Sequence, residues 1–476
     1  MTISRRTFLF QAMAGAGLLT LAPLPALSAP GILVPNITGL YTVEVAKIAT
    51  PVSAPELARI VREWPGKIAV GGARYSMGGQ IAIRAGLHVD MRSMNRLVSL
   101  DRAAKVARLQ AGMRWRDLQD VLDPLGLSVR TMQSYANFTV GGAVSVNAHG
   151  RYVGNGPVGN SVRALQLVLG DGSIVEASRS VNAELFRAAI GGYGVVGVIT
   201  EVELDLADNE RIERHVETVE LERYPEFFER HVKRAGDCVF HNADLLPPLF
   251  DVPVAVSWRR TSKAVTERAR LVPRGQSYAT NQNLIFTMTE LPGGALLRSK
   301  VVHPLLMARP AVKLRNHEAS LDVAELEPRT RAISTYVLQE YFVPVRHFAE
   351  FSRAMAAIIR KYDAEVLNIS VRHSDADALS LLPWAKEEVF SFVVYFKQRS
   401  NQQALQRVGV WTRELIDAAL DLGGRYYLPY QLHATVDQFR KAYPEWAQFL
   451  ALKAQVDPLE KLSNEMWAKY LNGDRP

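Results

Sequence analysis

Val70-Gly71-Gly72-Ala73-Arg74-Tyr75-Ser76-Met77-Gly78-Gly79-Gln80 follows directly on a short apolar run, Lys67 to Val70. The run reads as a buried strand. Small residues after it let successive backbone N–H groups converge on a diphosphate without a helix. A second stretch, Asn137-Phe138-Thr139-Val140-Gly141-Gly142-Ala143-Val144-Ser145-Val146-Asn147-Ala148-His149-Gly150, permits another close backbone approach at Gly141-Gly142, with Ser145, Asn147 and His149 as polar neighbours. A third, Gly192-Tyr193-Gly194-Val195-Val196-Gly197, has GxGxxG spacing, but its setting is reversed. A helical run, Ala183 to Ile190, precedes it and a β-rich run, Val198 to Leu204, follows, whereas the nicotinamide fingerprint needs a strand before and a helix after. A nicotinamide site is therefore rejected here. Each stretch alone also reads as a structural turn; the three together, in this order, point to one bound dinucleotide.

Outward from these turns, residues 43–206 alternate short β-rich runs with helical ones. Pro55 to Val61 has apolar residues at helical spacing, and Leu87 to Met91 and Val106 to Ala111 alternate as strands do. Trp115 to Leu125 reads as an amphipathic helix stopped by Pro124 and Gly126. Strands follow at Ala164 to Leu169 and Val195 to Leu206. Beyond, Glu210 to Cys238 reads as a charged, helix-containing region. Strands at Val252 to Trp258, Tyr336 to Val343, Val366 to Arg372 and Val389 to Phe396 are separated by helical stretches, which predicts an α+β layer on an antiparallel sheet.

The three glycine segments resemble the FAD-binding domain of the vanillyl-alcohol oxidase superfamily, whose PCMH-type members include alditol oxidase, sugar-lactone oxidases and decaprenylphosphoryl-ribose oxidase. The resemblance implies a two-domain α+β fold. Residues 40–206 would bind FAD, 207–422 would form a substrate (cap) domain on an antiparallel sheet, and 423–476 would return to the flavin. It implies that Gly71, Gly72, Ala73, Arg74, Tyr75 and Ser76 wrap the diphosphate. Gly141, Gly142, Ser145, Asn147, His149 and Gly150 would run along the flavin and its phosphates. Ile199 would meet a ring edge through its backbone, and Tyr427, in Gly423-Gly424-Arg425-Tyr426-Tyr427-Leu428-Pro429-Tyr430, would approach the flavin. Many members attach the flavin to a histidine in a Gly-x-Gly-His-Ser turn; here Tyr75 stands at that position, so dissociable FAD is expected. The lysine found three residues after the tyrosine in the decaprenylphosphoryl-ribose oxidase pattern is Tyr430 here, and the lactone-oxidase His-Trp-Gly-Lys motif is absent.

With a flavin accepting hydride from a C–OH carbon, the protein must orient the substrate and assist loss of the hydroxyl proton. Gln339-Glu340-Tyr341-Phe342-Val343-Pro344 resembles the cap strand of sugar-oxidising relatives. Strand geometry puts Glu340 and Phe342 on one face, Gln339 and Tyr341 on the other. Asn368, Ser370 and Arg372 form a polar row that is either solvated or substrate-binding. Glu340, Arg372 and Tyr430 are the catalytic candidates; Tyr430 or nearby His433 either handles the proton or makes a structural hydrogen bond. The expected substrate is a small polyol, sugar-like or lactone molecule, with oxygen or another acceptor reoxidising the flavin. The alternatives are an aromatic-alcohol or amine oxidase on the same fold, or a flavin-retaining binder without turnover.

Composition narrows the classes. The 476 residues are 48% apolar, and the formal charge of +8 is spread along the chain, with no basic–aromatic run of the kind that makes a nucleic-acid groove. The single cysteine, Cys238, excludes an internal disulfide and any cysteine-built metal centre, and no metal is expected. Ser4-Arg5-Arg6-Thr7-Phe8-Leu9, an apolar stretch to Leu24 and a small-residue exit near Ala29 predict a twin-arginine signal over residues 1–29 and a periplasmic or secreted protein. Leu296 to Arg315 mixes apolar and basic residues. Pro304 and Pro310 interrupt it, favouring a cap-domain helix pair over a membrane-facing loop, and no membrane contact is expected.

Overall fold

The computed structural model describes residues 31–278, 309–328 and 330–472. The expected export signal and residues 296–308 of the mixed apolar–basic stretch lie outside them. From Ile32 onward the chain forms one compact unit.

The apolar run before the first glycine turn forms the strand Ile68–Gly71. It pairs in parallel with Leu87–Asp90, which pairs in parallel with Lys47–Ala49. An antiparallel six-stranded sheet stands with it, running Ile174–Ser178, Val162–Val168, Val198–Asp208, Val106–Gln110, Leu97–Asp101, with Leu127–Val129 also on the long third strand. Alternating burial along Val198–Asp208 shows the period-2 pattern of a sheet with one packed face. The glycine turns therefore sit where the first two sheets end.

The second domain is an eight-stranded antiparallel sheet ordered Val312–Leu314, Arg211–Thr218, Val254–Arg260, Cys238–Leu245, Val366–Ser374, Val389–Arg399, Ser334–Pro344, Arg425–Tyr426. One face is aromatic: Phe392 meets Phe351 at 4.9 Å, Phe390 meets Phe348 at 5.2 Å and Phe396 meets Trp411 at 4.8 Å. The helices Phe348–Lys361 and Gln402–Asp421 cover that face. Each aromatic ring so buried stabilises the fold by about 1.5–3 kcal/mol. With this face closed by helices, the opposite face is the one turned to the glycine turns.

Four elements differ from the sequence reading. The helix expected over 115–125 is α-helical only across Trp115–Leu122 and tightens to a 3-10 turn at Asp123–Leu125. Pro124 has no N–H to continue the ladder. Glu210 to Cys238 holds a strand, Arg211–Thr218, before its short helix Tyr224–Phe228. Pairing with Val254–Arg260 at seven positions overrides its charged composition. The second glycine stretch is a short helix over Val140–Ser145 rather than an open turn. The return segment first adds Arg425–Tyr426 to the edge of the second sheet, beside Ser334–Pro344, and only then leaves it.

Candidate active site

A cleft partly open to solvent lies among the three glycine segments. Its walls approach closely because they lack side chains. A Cβ on Gly72 would stand 2.1 Å from Thr139 Oγ1, and one on Gly141 would stand 2.5 Å from Ala111 Cβ. Arg74, held at φ +64°, lines the cleft; its Nη2 is 3.1 Å from Asp90 Oδ2 and its Nε is buried without a partner among the described residues. Spare guanidinium and backbone donors fit a diphosphate, and Ile81, Met91, Phe138, Val198 and Ile199 offer apolar walls to ring systems. The residues present therefore fit a flavin dinucleotide.

Of the cofactor residues expected from sequence, Gly72, Ala73, Arg74, Tyr75, Ser76, Gly141, Gly142, Ser145 and Ile199 line this cleft. Five do not. Gly71 packs against His88, and Gly150 against the backbone of Met132. Asn147 is used internally: its Nδ2 donates to Asp377 Oδ2 at 2.8 Å and its Oδ1 accepts from the Gly159 N–H at 3.0 Å. Tyr427 OH donates to Val146 O at 2.8 Å, fixing the return segment to the helix Val140–Ser145. His149 turns away to the second domain, where its Nε2 is 2.5 Å from Glu340 Oε1. Met91, Ala111, Phe138, Thr139, Tyr193 and Gly194 also line the cleft and were not anticipated. Phe138 and Thr139 lay within a quoted glycine stretch, and Tyr193 and Gly194 within the rejected GxGxxG run. Met91 and Ala111 had no signal beyond standing at strand ends.

Tyr75 lies against Phe138, ring centroids 4.4 Å apart. Burial, with Glu327 and Asp322 nearby, pushes its phenol up to about 12. It stays a neutral phenol at any ordinary pH.

The polar face of the second sheet carries the other expected residues. Register sets Glu340 opposite Val393, Val393 opposite Ser370, and Ser370 opposite Asp244, so these side chains share one face. Asn368 and Arg372, two residues either side of Ser370, join that face, as does Ser391 opposite Arg372. Asn368 Nδ2 donates to Asp244 Oδ1 at 3.1 Å. Asn368 Oδ1, Ser391 Oγ, Arg372 Nε and His149 Nδ1 are buried with no hydrogen-bond partner among the described residues. These open polar atoms are free to bind a polar ligand.

Glu340 is the hub. Besides His149, its Oε2 accepts from Tyr430 OH at 3.1 Å, and its carbonyl accepts from the Tyr427 N–H at 3.0 Å. Burial pushes its carboxyl up, but the neighbouring His149, Arg372 and Tyr430 together outweigh this and hold it below the usual carboxylate range. Conversely, burial, the Glu340 charge and the bond to Glu340 hold the Tyr430 phenol well above its ordinary value. The pair is thus a carboxylate and a neutral phenol. His433 sits elsewhere, its Nε2 3.1 Å from Gln431 Oε1, a structural contact.

Two family profiles match the chain: one described as FAD binding domain over residues 45–178, one described as D-arabinono-1,4-lactone oxidase over residues 315–471. L-gulonolactone oxidase of Bos taurus is 24% identical over 411 residues, 85% of this chain and 89% of the relative. Mitochondrial L-galactono-1,4-lactone dehydrogenase of Brassica oleracea is 28% identical over 48% of this chain and 38% of the relative. Alditol oxidase of a Streptomyces species is 29% identical over 39% of this chain and 44% of the relative. Fold, cleft and relatives together define an FAD-dependent oxidoreductase acting on CH–OH donors. The chain is similar to the PCMH-type flavoproteins of the vanillyl-alcohol oxidase superfamily in both matched segments.

Proposed function

We propose that this enzyme oxidises a C–OH carbon of a small sugar-derived lactone or polyol held against the second sheet, and that its FAD is bound without a covalent link. FAD, when bound, supplies the hydride-accepting chemistry. The nine cleft residues anticipated from sequence, Gly72 to Ser76, Gly141, Gly142, Ser145 and Ile199, would hold it. The halves 40–206 and 207–422, closed by 423–476, divide cofactor binding from substrate binding in this reading. Glu340 accepts the hydroxyl proton as the carbon gives up its hydride. Tyr430 and His149 each hold one oxygen of that carboxylate in place, and Arg372 neutralises negative charge growing on the substrate oxygen.

The single observation behind this reading is Arg372, a sheet-face arginine whose Nε is buried without a partner among the described residues, beside a carboxylate kept ionised. A face built from Asn368, Ser370, Arg372 and Ser391 suits a ligand rich in hydroxyls better than an aromatic alcohol. Anaerobic mixing with sugar lactones, polyols, aromatic alcohols and amines tests it. Lactones or polyols should bleach the flavin absorption, and bleaching by aromatic alcohols or amines alone would replace the proposal with the aromatic reading. Oxygen or another acceptor then reoxidises the flavin.

Two further expectations arise here. Acid precipitation of the yellow protein should leave all flavin in the supernatant, since Tyr75 offers a neutral phenol where many members of the resembled superfamily carry a histidine. Flavin remaining on the pellet would refute dissociable binding. Export by the twin-arginine route is also part of the proposal: changing Arg5 and Arg6 to Lys should leave precursor in the cytoplasm, and unchanged export would send the signal to a general secretory route.

A further inference from the structure

We infer that Tyr193 is a cofactor-contact residue, its phenol donating a hydrogen bond to FAD bound in the cleft. The inference rests on the reading of that cleft as the flavin site. Tyr193 stands inside the GxGxxG run whose nicotinamide reading fails, and it lines the cleft with Ser145, Val146 and Gly194.

Three observations set it apart from an ordinary core aromatic. The first is its backbone. Tyr193 has φ +56°, between Gly191 at +77° and Gly194 at +75°. Glycine takes this conformation without strain, whereas a bulky aromatic there is an outlier, and such strain collects at functional sites. The second is the way it is held. Its N–H donates to Ser145 O at 2.9 Å and its carbonyl accepts from Asn464 Nδ2 at 3.1 Å, while Trp467 Nε1 donates to Gly192 O at 3.2 Å. The helix under the cleft and the C-terminal segment thus fix the strained residue from two sides.

The third is its hydroxyl, which makes no hydrogen bond to any described residue although the side chain is only 7% exposed. Three phenols around it are satisfied, Tyr427 OH donating to Val146 O, Tyr443 OH to Tyr426 O and Tyr430 OH to Glu340, whereas Tyr426 OH also has no partner among the described residues but does not line the cleft. Burial, together with the nearby Tyr443, Tyr430 and Glu340, keeps the Tyr193 phenol protonated, so it is available only as a neutral hydroxyl. A strained, doubly pinned aromatic that lines a ligand cleft and keeps an unpartnered hydroxyl is placed for the ligand. Packing alone would be served by phenylalanine.

The test compares the yellow holoenzyme with its Tyr193→Phe and Tyr443→Phe variants. Flavin dissociation is followed by the fluorescence of released flavin on dilution, and thermal midpoints are measured with flavin stripped. Tyr193→Phe should weaken flavin binding about 2- to 12-fold, the span of one net hydrogen bond, with the stripped protein's midpoint unchanged. Tyr443→Phe, which removes an internal bond from a neighbouring phenol that does not line the cleft, should leave flavin affinity unchanged. Equal affinity in Tyr193→Phe and wild type would overturn the proposal while leaving the flavin cleft intact. So would a loss in Tyr193→Phe matched by the same loss in Tyr443→Phe, since that is a packing effect. A colourless wild-type protein would overturn the flavin reading itself, and this inference with it.

Discussion

Replacing Glu340 with glutamine is expected to slow flavin reduction by substrate about 10²- to 10⁴-fold, the usual contribution of a positioned general base. Glutamine keeps the shape and can still accept from Tyr430 OH, but it cannot take the substrate proton. The wild-type carboxyl lies below the ordinary carboxylate range. The base is therefore ionised across neutral pH, and activity that depends on it is lost only as pH falls below about 4.3, the ordinary glutamate value. In Glu340→Gln the acid limb of kcat/KM should disappear along with most of the rate. Stopped-flow bleaching under anaerobic conditions measures both. The substitution also leaves Arg372 without a nearby anion, which lowers stability, so thermal midpoints must accompany the rates. A rate within threefold of wild type in a folded, yellow variant would remove Glu340 from the proton path.

The second large effect is on stability in acid. Three histidines, the buried His88 and His241 and the half-buried His433, are held neutral by the fold. His88 is pushed down to about 4 by burial and the Arg74 charge, against the opposing pull of Ile81 and Asp90. His241, between Tyr224 OH and Ser257 Oγ at 2.9 Å each, is pushed down to about 3 by burial and the His373 and Arg259 charges. Burial, Lys469 and Arg413 bring His433 to about 3. Unfolded histidine titrates near 6.5, so below that pH the unfolded chain binds protons that the folded chain refuses.

Stability should therefore be full above pH 6.5 and fall as pH drops toward 4. Each histidine removes roughly 3 kcal/mol by pH 4, and the three together remove on the order of 10 kcal/mol, comparable with the whole stability of a domain. Denaturant midpoints at saturating flavin, taken each half unit from pH 7.5 to 4.5, give the curve. His433→Gln should lower its slope by about 1.4 kcal/mol per pH unit, the linkage of one proton. Flat midpoints between pH 7 and 5 would show that these rings are not held neutral.

Much of this was legible in the residues. Gly71-Gly72 after an apolar run and Gly141-Gly142 in its polar setting marked the cleft, because only side-chain-free positions let the walls come within contact of Thr139 and Ala111. The period-2 pattern of 339–342 divided Glu340 from Tyr341, and the same pattern set Asn368, Ser370 and Arg372 on one face. Other residues lie outside the cleft for identifiable reasons. Asn147 and His149 look like cofactor ligands beside two glycines, but their partners Asp377 and Glu340 are 230 and 191 residues away. Tyr193 was hidden inside a motif that points to the wrong cofactor.

What the sequence determined by itself was local: where the backbone could come close to a ligand, which residues alternate, and which strand carries a carboxylate. These follow from steric freedom at glycine and from strand geometry, both properties of a few consecutive residues. Only the tertiary structure decided which face of the Ser334–Pro344 strand meets the glycine turns. The phenylalanines of the neighbouring strand draw two helices over one side, and Glu340 is left on the other. It also decided the charge state of Glu340, since an ionised carboxylate in a buried site exists only where His149, Arg372 and Tyr430, brought from three distant segments, converge on it.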